Sequence, residues 1–452
     1  MHRAPPAVEF TGHKLLTAAH ALNSLPVPLS SWSNSGWLGV AEADLPQVFP
    51  NLLWRALHLF SLPDFRRLWF IGFTLCIVRW LEMLALALFA YDLTGSALVV
   101  AMLTMLRLLP LALFGAFVGA AAERFDRRRV LALVVAMSTL VSLVLAILAS
   151  FGAIAVWHLA VASFVSGLSW VADNPVRRML IGDAVGVERI GAGLSIDTAT
   201  NNGTRILGPV LSGILLAEFG IGGVFWFGVA LFLPCVVAVI RIRIRREQPA
   251  TKPPSLLASI REGFGWLRRD GRLTGVFAIT IIFNIFGWPA TSMVPVIGTD
   301  SLGLGPKGVG LLAACDGLGG LLGALFIARL APPVWYGRIY TGAVGLYLVM
   351  VVCFAAAPVV SIAAPSLFLG GMFQAVFAVM QTTLVYRAAP VEMRARLLGV
   401  LSVCIGTGPI GFLYLGFLAE TLTPRTATMA LAAQGMLALL LTRRYWVGTL
   451  RL

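Results

Sequence analysis

From Phe65 onward the chain alternates long apolar runs with short polar breaks. The runs fall at 67–91, 96–121, 128–150, 153–172, 189–217, 222–242, 274–298, 306–329, 338–357, 361–386, 393–419 and 425–445. Each is close to the ~20 residues a helix needs to cross the hydrocarbon of a bilayer. Only helices or closed barrels can span lipid, and runs this long are not barrel strands. The pattern therefore predicts an all-α polytopic membrane protein with twelve transmembrane helices. Residues 1–64 differ in kind: they are mixed, with Pro5, Pro6, Pro26, Pro28, Pro46 and Pro50 and serines between 30 and 35. They contain no apolar core behind a basic start, so they do not read as a secretory signal. The expectation is a cytoplasmic extension with a short interfacial helix over 51–60, where Leu52, Leu53, Leu57 and Phe60 share a face.

The polar breaks are unequal. If the N-terminus faces the cytoplasm, 24 of the 34 basic residues fall in inside loops or the C-terminal tail, and only Lys307 and Arg425 fall outside. This asymmetry predicts both termini on the cytoplasmic side of an inner-type membrane. The densest break is 119–129, GAAAERFDRRR. The longest, 247–272, carries Leu256, Leu257, Ile260, Phe264 and Leu267 at helical spacing and predicts a cytoplasmic amphipathic linker. It separates a six-helix half at 65–246 from another at 273–452.

The halves echo one another. After the fourth run come Arg177, Arg178, Glu188 and Arg189, then a helix through Gly208-Pro209 to Glu218. After the tenth come Arg387, Glu392 and Arg394, then a helix through Gly408-Pro409 to Glu420. The glutamate-to-proline spacings differ by about one helical turn. The 119–129 loop has a degraded echo at 323–338. Repeated six-helix halves predict a transporter with its site between the halves near the membrane midplane.

Composition agrees. The chain is 59% hydrophobic and 12% charged, with mean hydropathy +0.89, whereas soluble proteins carry roughly 25% charged residues. The net charge of +14 is then a mark of topology rather than of nucleic-acid binding. The five cysteines lie inside apolar runs without metal spacing and read as packing residues. There is no P-loop, no HExxH and no Ser/His/Asp cluster. His2, His13 and His20 lie in the extension, and His58 and His158 lie near run boundaries. No enzyme and no cofactor is expected.

The 119–129 stretch resembles the signature loop of the major facilitator superfamily, commonly G-x-x-x-D-R-x-x-R-R. Gly119 takes the glycine, Glu123 the acidic place, and Arg124, Arg127 and Arg128 the basic places. Four further stretches, at 65–69, 92–96, 173–177 and 205–209, resemble the branch containing enterobactin exporters and macrolide-efflux proteins. The resemblance covers about 65–445 and implies a transporter working by alternating access. The signature loop would be a cytoplasmic gate, its acid and arginines pairing across helix ends in one conformation and releasing during rocking. Gly208, Pro209 and Gly213 would permit close helix approach.

Ionisable residues inside runs are costly and mark function. Arg79 and Glu82, three apart, share a face and are expected to pair. Asp197 and Arg205, eight apart, are also expected to pair, while Arg107 lies midway along the second run and Asp316 stands alone in the eighth. A carboxylate beside an arginine can lose and regain a proton during a transport cycle, so Glu82, Asp197 and Asp316 are the coupling candidates. Asn201, Asn202, Asn284, Gln374 and Gln381 add polar contacts, and Trp170, Trp226, Trp288 and Phe283 are candidate cavity walls. The resulting expectation is a monomeric, proton-driven exporter of a hydrophobic or amphipathic small molecule, siderophore or drug, working in the lipid bilayer. An ion-coupled uptake carrier and a non-transporting sensor remain the alternatives.

Overall fold

The computed structural model describes residues 58–124, 126–243, 262, 265, 271–330 and 332–451. The expected interfacial helix at 51–60 and the linker at 247–272 lie largely outside these residues. Among those described, regular structure is entirely helical. Helices α1 (Pro63–Thr94), α2 (Ala97–Arg124), α3 (Arg127–Ser150), α4 (Val156–Val185) and α5 (Ile190–Ile240) form the first set. The second set is α6 (Gly271–Ile282), α7 (Met293–Asp300), α8 (Pro306–Leu330), α9 (Tyr336–Ala356), α10 (Val360–Ala388), α11 (Arg394–Ile405), α12 (Gly408–Thr421) and α13 (Pro424–Leu441), followed by the short α14 (Arg443–Trp446).

Local chemistry sets the ends. Pro63 and Pro424 occupy first turns, where a missing N–H costs nothing. Asp126 caps α3 by accepting from the Arg128 and Arg129 amides. Gly95 closes α1 in the left-handed region at φ 62°. Within the helices many hydroxyls bond back to carbonyls one turn earlier, as Thr104 does to Val100 at 3.1 Å, and so are satisfied without water. Large apolar side chains such as Leu133, Leu140, Leu233, Leu325 and Leu440 are exposed on the outer faces. In a bilayer those faces meet lipid.

Nine described helical segments are long and apolar enough to cross a membrane. One, Val187–Ile240, has 54 residues, far more than one crossing needs. It breaks at Gly220, φ 64°, and folds back: Leu211 and Leu215 before the break and Val224 after it pack in one cluster with Leu81 and Ala85 of α1. A side chain with a Cβ would strain that turn. Two expected single helices are interrupted. Between α6 and α7, residues Phe283–Gly287 form a π turn and Trp288–Ser292 a 3₁₀ turn around Pro289. The expected run 393–419 divides at 406–407, where Pro409 starts α12 afresh. Conversely, α4 does not stop at 172. It continues through Pro175 to Val185 and carries Arg177 and Arg178 with it, so these two residues are not loop residues.

The two sets meet along two seams, α5 against α8 and α2 against α12. Gly208 lies against Trp80 and Leu81 of α1, and Gly213 against the Pro306 carbonyl of α8, so a Cβ at either would collide. The repeat reappears in three dimensions. Arg107 and Asp316 are each the eleventh residue of α2 and α8, and Gly167 and Gly371 are each the twelfth of α4 and α10. A Cβ on Gly167 would strike the Arg107 carbonyl, and one on Gly371 the Asp316 carbonyl. The same backbone contact thus places a cation in one half and an anion at the equivalent position of the other.

Candidate functional site

A cavity lies between the two sets, with an empty volume of about 1190 Å³ that includes open solvent. Its walls are mostly apolar and aromatic, and α1, α2, α4, α5, α8, α9, α10, α12 and the Trp288–Ser292 turn all contribute. Of the ionisable residues singled out in the sequence, Arg107, Arg205 and Asp316 line it, while Arg79, Glu82 and Asp197 do not. Of the aromatic candidates, Trp170 and Trp288 line it. Phe283 is buried against Phe377, and Trp226 sits on an exposed face bonded to Ser150 at 3.1 Å. Trp80, Tyr347, Phe354 and Phe412 also form the walls. They escaped notice because an aromatic in an apolar run carries no sign of which face it takes.

The pairings expected from spacing are replaced by others. Arg205 does not reach Asp197, which lies about 12 Å away along the helix axis at eight residues' separation. It crosses the seam to Asp316 of α8 at 2.5 Å and donates to Gln374 of α10. Its guanidinium also lies over the Trp80 ring, 5.6 Å from the centroid. Asp316 therefore has a partner, contrary to expectation. The pair is about one-fifth exposed on each side, so the cavity reaches it.

Arg79 does not pair with Glu82. It reaches Asp173 of α4 at 3.0 Å and lies 5.0 Å over the Trp170 ring. Glu82 turns the other way and accepts from Ser142 of α3 at 2.7 Å. Partners on neighbouring helices satisfy both groups better than the shared face does. Asp173 also accepts from Arg177 at 2.8 Å, and Arg177 bonds Asp197 in turn, with Arg178 adding a longer contact of 3.4 Å. Arg79, Asp173, Arg177 and Asp197 thus form a buried ionic chain through α1, α4 and α5, all within the first set. The sequence did carry a signal for Asp173 and Arg177: an acid and an arginine four apart in helical register.

At the arginine-rich end, Arg127 pairs with Asp183 of α4 at 2.7 Å, and Arg128 donates to the Ile240 carbonyl. Helix α2 runs through Gly119, Glu123 and Arg124, whose side-chain contacts lie outside the described residues. At the opposite end, links cross between the sets: Tyr91 to Asp300, Ser96 to Glu420 at 3.2 Å, and Lys307 to Glu218. Asn284 and Gln381 both bond Thr280 within the second set. Asn201 and Asn202 are half-buried on α5. Among the described residues no cluster could hold a metal ion.

The model of the family described as "Transmembrane secretion effector" matches residues 56–448. An uncharacterized MFS-type transporter, YfiS of Bacillus subtilis strain 168, is 30% identical over 260 residues, 55% of this chain and 60% of its own. Macrolide efflux protein A of Streptococcus pyogenes is 21% identical over 54% of this chain and 61% of its own. The Staphyloferrin A transporter of Staphylococcus aureus is 23% identical over 61% and 68%. The match thus spans about 60% of the length of the first two relatives. A crystal structure of a POT family transporter superposes with a TM-score of 0.67 at 14% identity, covering 84% of this chain and 95% of that one. That likeness shows a shared fold.

Proposed function

We propose that this chain, which belongs to the Transmembrane secretion effector family of the major facilitator superfamily, is a proton-driven exporter of an amphipathic small molecule. Family membership makes it a multi-pass membrane transporter rather than an enzyme. Export accords with the names of the macrolide-efflux and staphyloferrin A relatives. Twelve crossings, with the arginine-rich end in the cytoplasm, complete the reading.

One observation carries the mechanism: the Arg205–Asp316 ion pair spans the two halves inside the cavity. A carboxylate beside a guanidinium gives up its proton, whereas one left alone in an apolar cavity binds a proton. Rocking of the halves makes and breaks this pair. The links Tyr91–Asp300, Ser96–Glu420 and Lys307–Glu218 close the end opposite the arginines. We read this conformation as inward-facing: the pair is made, the proton has left, and cargo enters from the cytoplasm. Opening outward would part Arg205 from Asp316 and let the carboxylate reload from outside. Binding energy shifts such an equilibrium only as far as cargo and proton favour different states.

Everted membrane vesicles test this. Accumulation of the amphipathic fluorophore 1-pyrenebutyrate driven by an imposed proton gradient, acid inside, should collapse with a protonophore and be lost in Asp316→Asn. ATP-driven uptake insensitive to the protonophore would overturn the reading. Uptake in right-side-out vesicles with the gradient reversed would favour an importer.

A further inference from the structure

The cavity's hydroxyls and its carboxylate are already committed. The Thr104, Thr291, Ser292 and Ser366 hydroxyls donate to carbonyls of their own helices and turns. The Tyr347 hydroxyl donates to the Gly287 carbonyl at 3.3 Å. The one carboxylate lining the cavity, Asp316, is held by Arg205, which also occupies the Gln374 carbonyl oxygen.

Two fully buried donors in the same wall have no partner among the described residues. Arg107 is 3% exposed, yet its guanidinium makes one hydrogen bond, from Nη1 to the Arg79 carbonyl at 3.0 Å, and its Nη2 has no partner. Glu82 acts on it only at longer range, its own carboxylate being bonded to Ser142. The indole Nε1 of Trp80 is likewise buried without a partner. A buried cation with an unfilled donor is costly, and such costs persist where a ligand supplies the missing partner. Both unfilled groups are donors and one is charged. The one carboxylate in the described lining, Asp316, already carries the charge of Arg205.

On the reading that this cavity is the transport site, we infer that its cargo is an amphipathic organic anion. The acid group binds Arg107 with Trp80 as second donor, and the apolar body lies among Trp170, Trp288 and Phe412. A basic amphiphile would have to share Asp316 with the Arg205 guanidinium, whose positive charge opposes it. The two faces of the cavity thus divide the work: Asp316 carries the proton as its pairing with Arg205 is made and broken, while Arg107 selects the charge of the cargo.

The test is equilibrium binding to the full-length protein in phosphatidylcholine nanodiscs, with empty discs as blank and no gradient present. The probes are 1-pyrenebutyrate, its neutral amide and 1-pyrenebutylamine, followed by energy transfer from the indoles. The carboxylate should bind at least about tenfold more tightly than the amide, with the amine weakest. Arg107→Gln should bring the carboxylate down to the amide, and Arg107→Lys should restore part of the difference. An amine that binds as well as the carboxylate to the wild type overturns the inference, as does a preference that survives Arg107→Gln. If Arg107→Gln does not fold, the wild-type comparison still decides. Trp80→Phe then serves as the variant and should weaken the carboxylate about fivefold while sparing the amine. Displacement of the probe by phosphatidylglycerol in the disc would overturn assignment to a soluble acid. Because no gradient is used, loss of proton-driven 1-pyrenebutyrate uptake with binding intact would defeat the export reading without touching this result, whereas loss of the carboxylate preference would overturn this inference alone.

Discussion

Replacing Asp173 with asparagine separates structural charge from functional charge. Asp173 is fully buried on α4 and accepts from Arg79 at 3.0 Å and from Arg177 at 2.8 Å. Arg177 is 3% exposed and has Asp197 as its other acid. The amide keeps the volume and one acceptor but removes the charge, leaving the Arg79 guanidinium without its carboxylate and Arg177 with Asp197 alone. Breaking a buried pair in this way costs about 3–5 kcal/mol, or roughly two to three and a half decades in the folded-to-unfolded ratio. The assay is reversible unfolding in dodecyl maltoside with increasing dodecyl sulfate, read by tryptophan fluorescence. Asp316→Asn is the comparison. Its pair is one-fifth exposed and Gln374 still accepts from Arg205, so it should cost only about 1 kcal/mol. The functional order is the reverse: proton-driven uptake per folded molecule should fall at least tenfold in Asp316→Asn and stay within about twofold in Asp173→Asn. A cost below about 1 kcal/mol for Asp173→Asn would refute the view that this chain of ion pairs holds α1, α4 and α5 together.

Gly371→Leu should prevent α10 from resting on the Asp316 carbonyl and destabilise by about 1–3 kcal/mol or more, measured by the same unfolding series. Lys307→Glu places two acids face to face where Lys307 and Glu218 now pair. Spin-label distances across that end should lengthen relative to wild type, and the change should shrink at high salt. Arg205→Lys keeps the charge but not the planar fork that reaches Asp316 and Gln374 together. Gradient-driven uptake should drop well below wild type while uptake down a substrate gradient persists.

The helices and their order were legible because lipid leaves a chain few choices: long apolar runs must be helical, and dense arginines must lie beside them. The reversal near Gly220 was legible only as the gap between the runs 189–217 and 222–242. Pairings inside the bundle were not. Spacing along one helix finds neighbours on that helix, and it joined Arg79 to Glu82 and Asp197 to Arg205. Charged groups in a low-dielectric bundle instead choose the nearest opposite charge on any helix, which spacing cannot reveal. Arg177 was counted with the loops for a related reason: proline at 175 and two arginines look like a helix end, yet Asp173 one turn earlier makes burial of the next turn tolerable. The unit of inference was too small, one helix rather than a pair of helices from different parts of the chain.

The ionic contacts fall into two kinds, and the division follows from what a rocking transporter can keep. The chain Arg79–Asp173–Arg177–Asp197 runs wholly within the first set of helices. If each half moves as a body, those bonds persist through the cycle and cannot report on it. Arg205–Asp316 crosses the seam between α5 and α8, so any relative motion of the halves must stretch it. Duplication supplied the positions, since Arg107 and Asp316 occupy equivalent places in α2 and α8 on equivalent glycine contacts. Divergence then made one a cation and the other an anion. The anion found a partner across the seam and the cation did not. On this reasoning, exchanging the two charges, with Arg107→Asp and Asp316→Arg together, should not restore transport even if the protein folds. The swapped arginine would face Arg205, and the swapped aspartate would lie beside Glu82 with no guanidinium crossing the seam to meet it. Uptake in the double variant equal to that of wild type would mean that position alone, and not the neighbours each half provides, determines what these residues do.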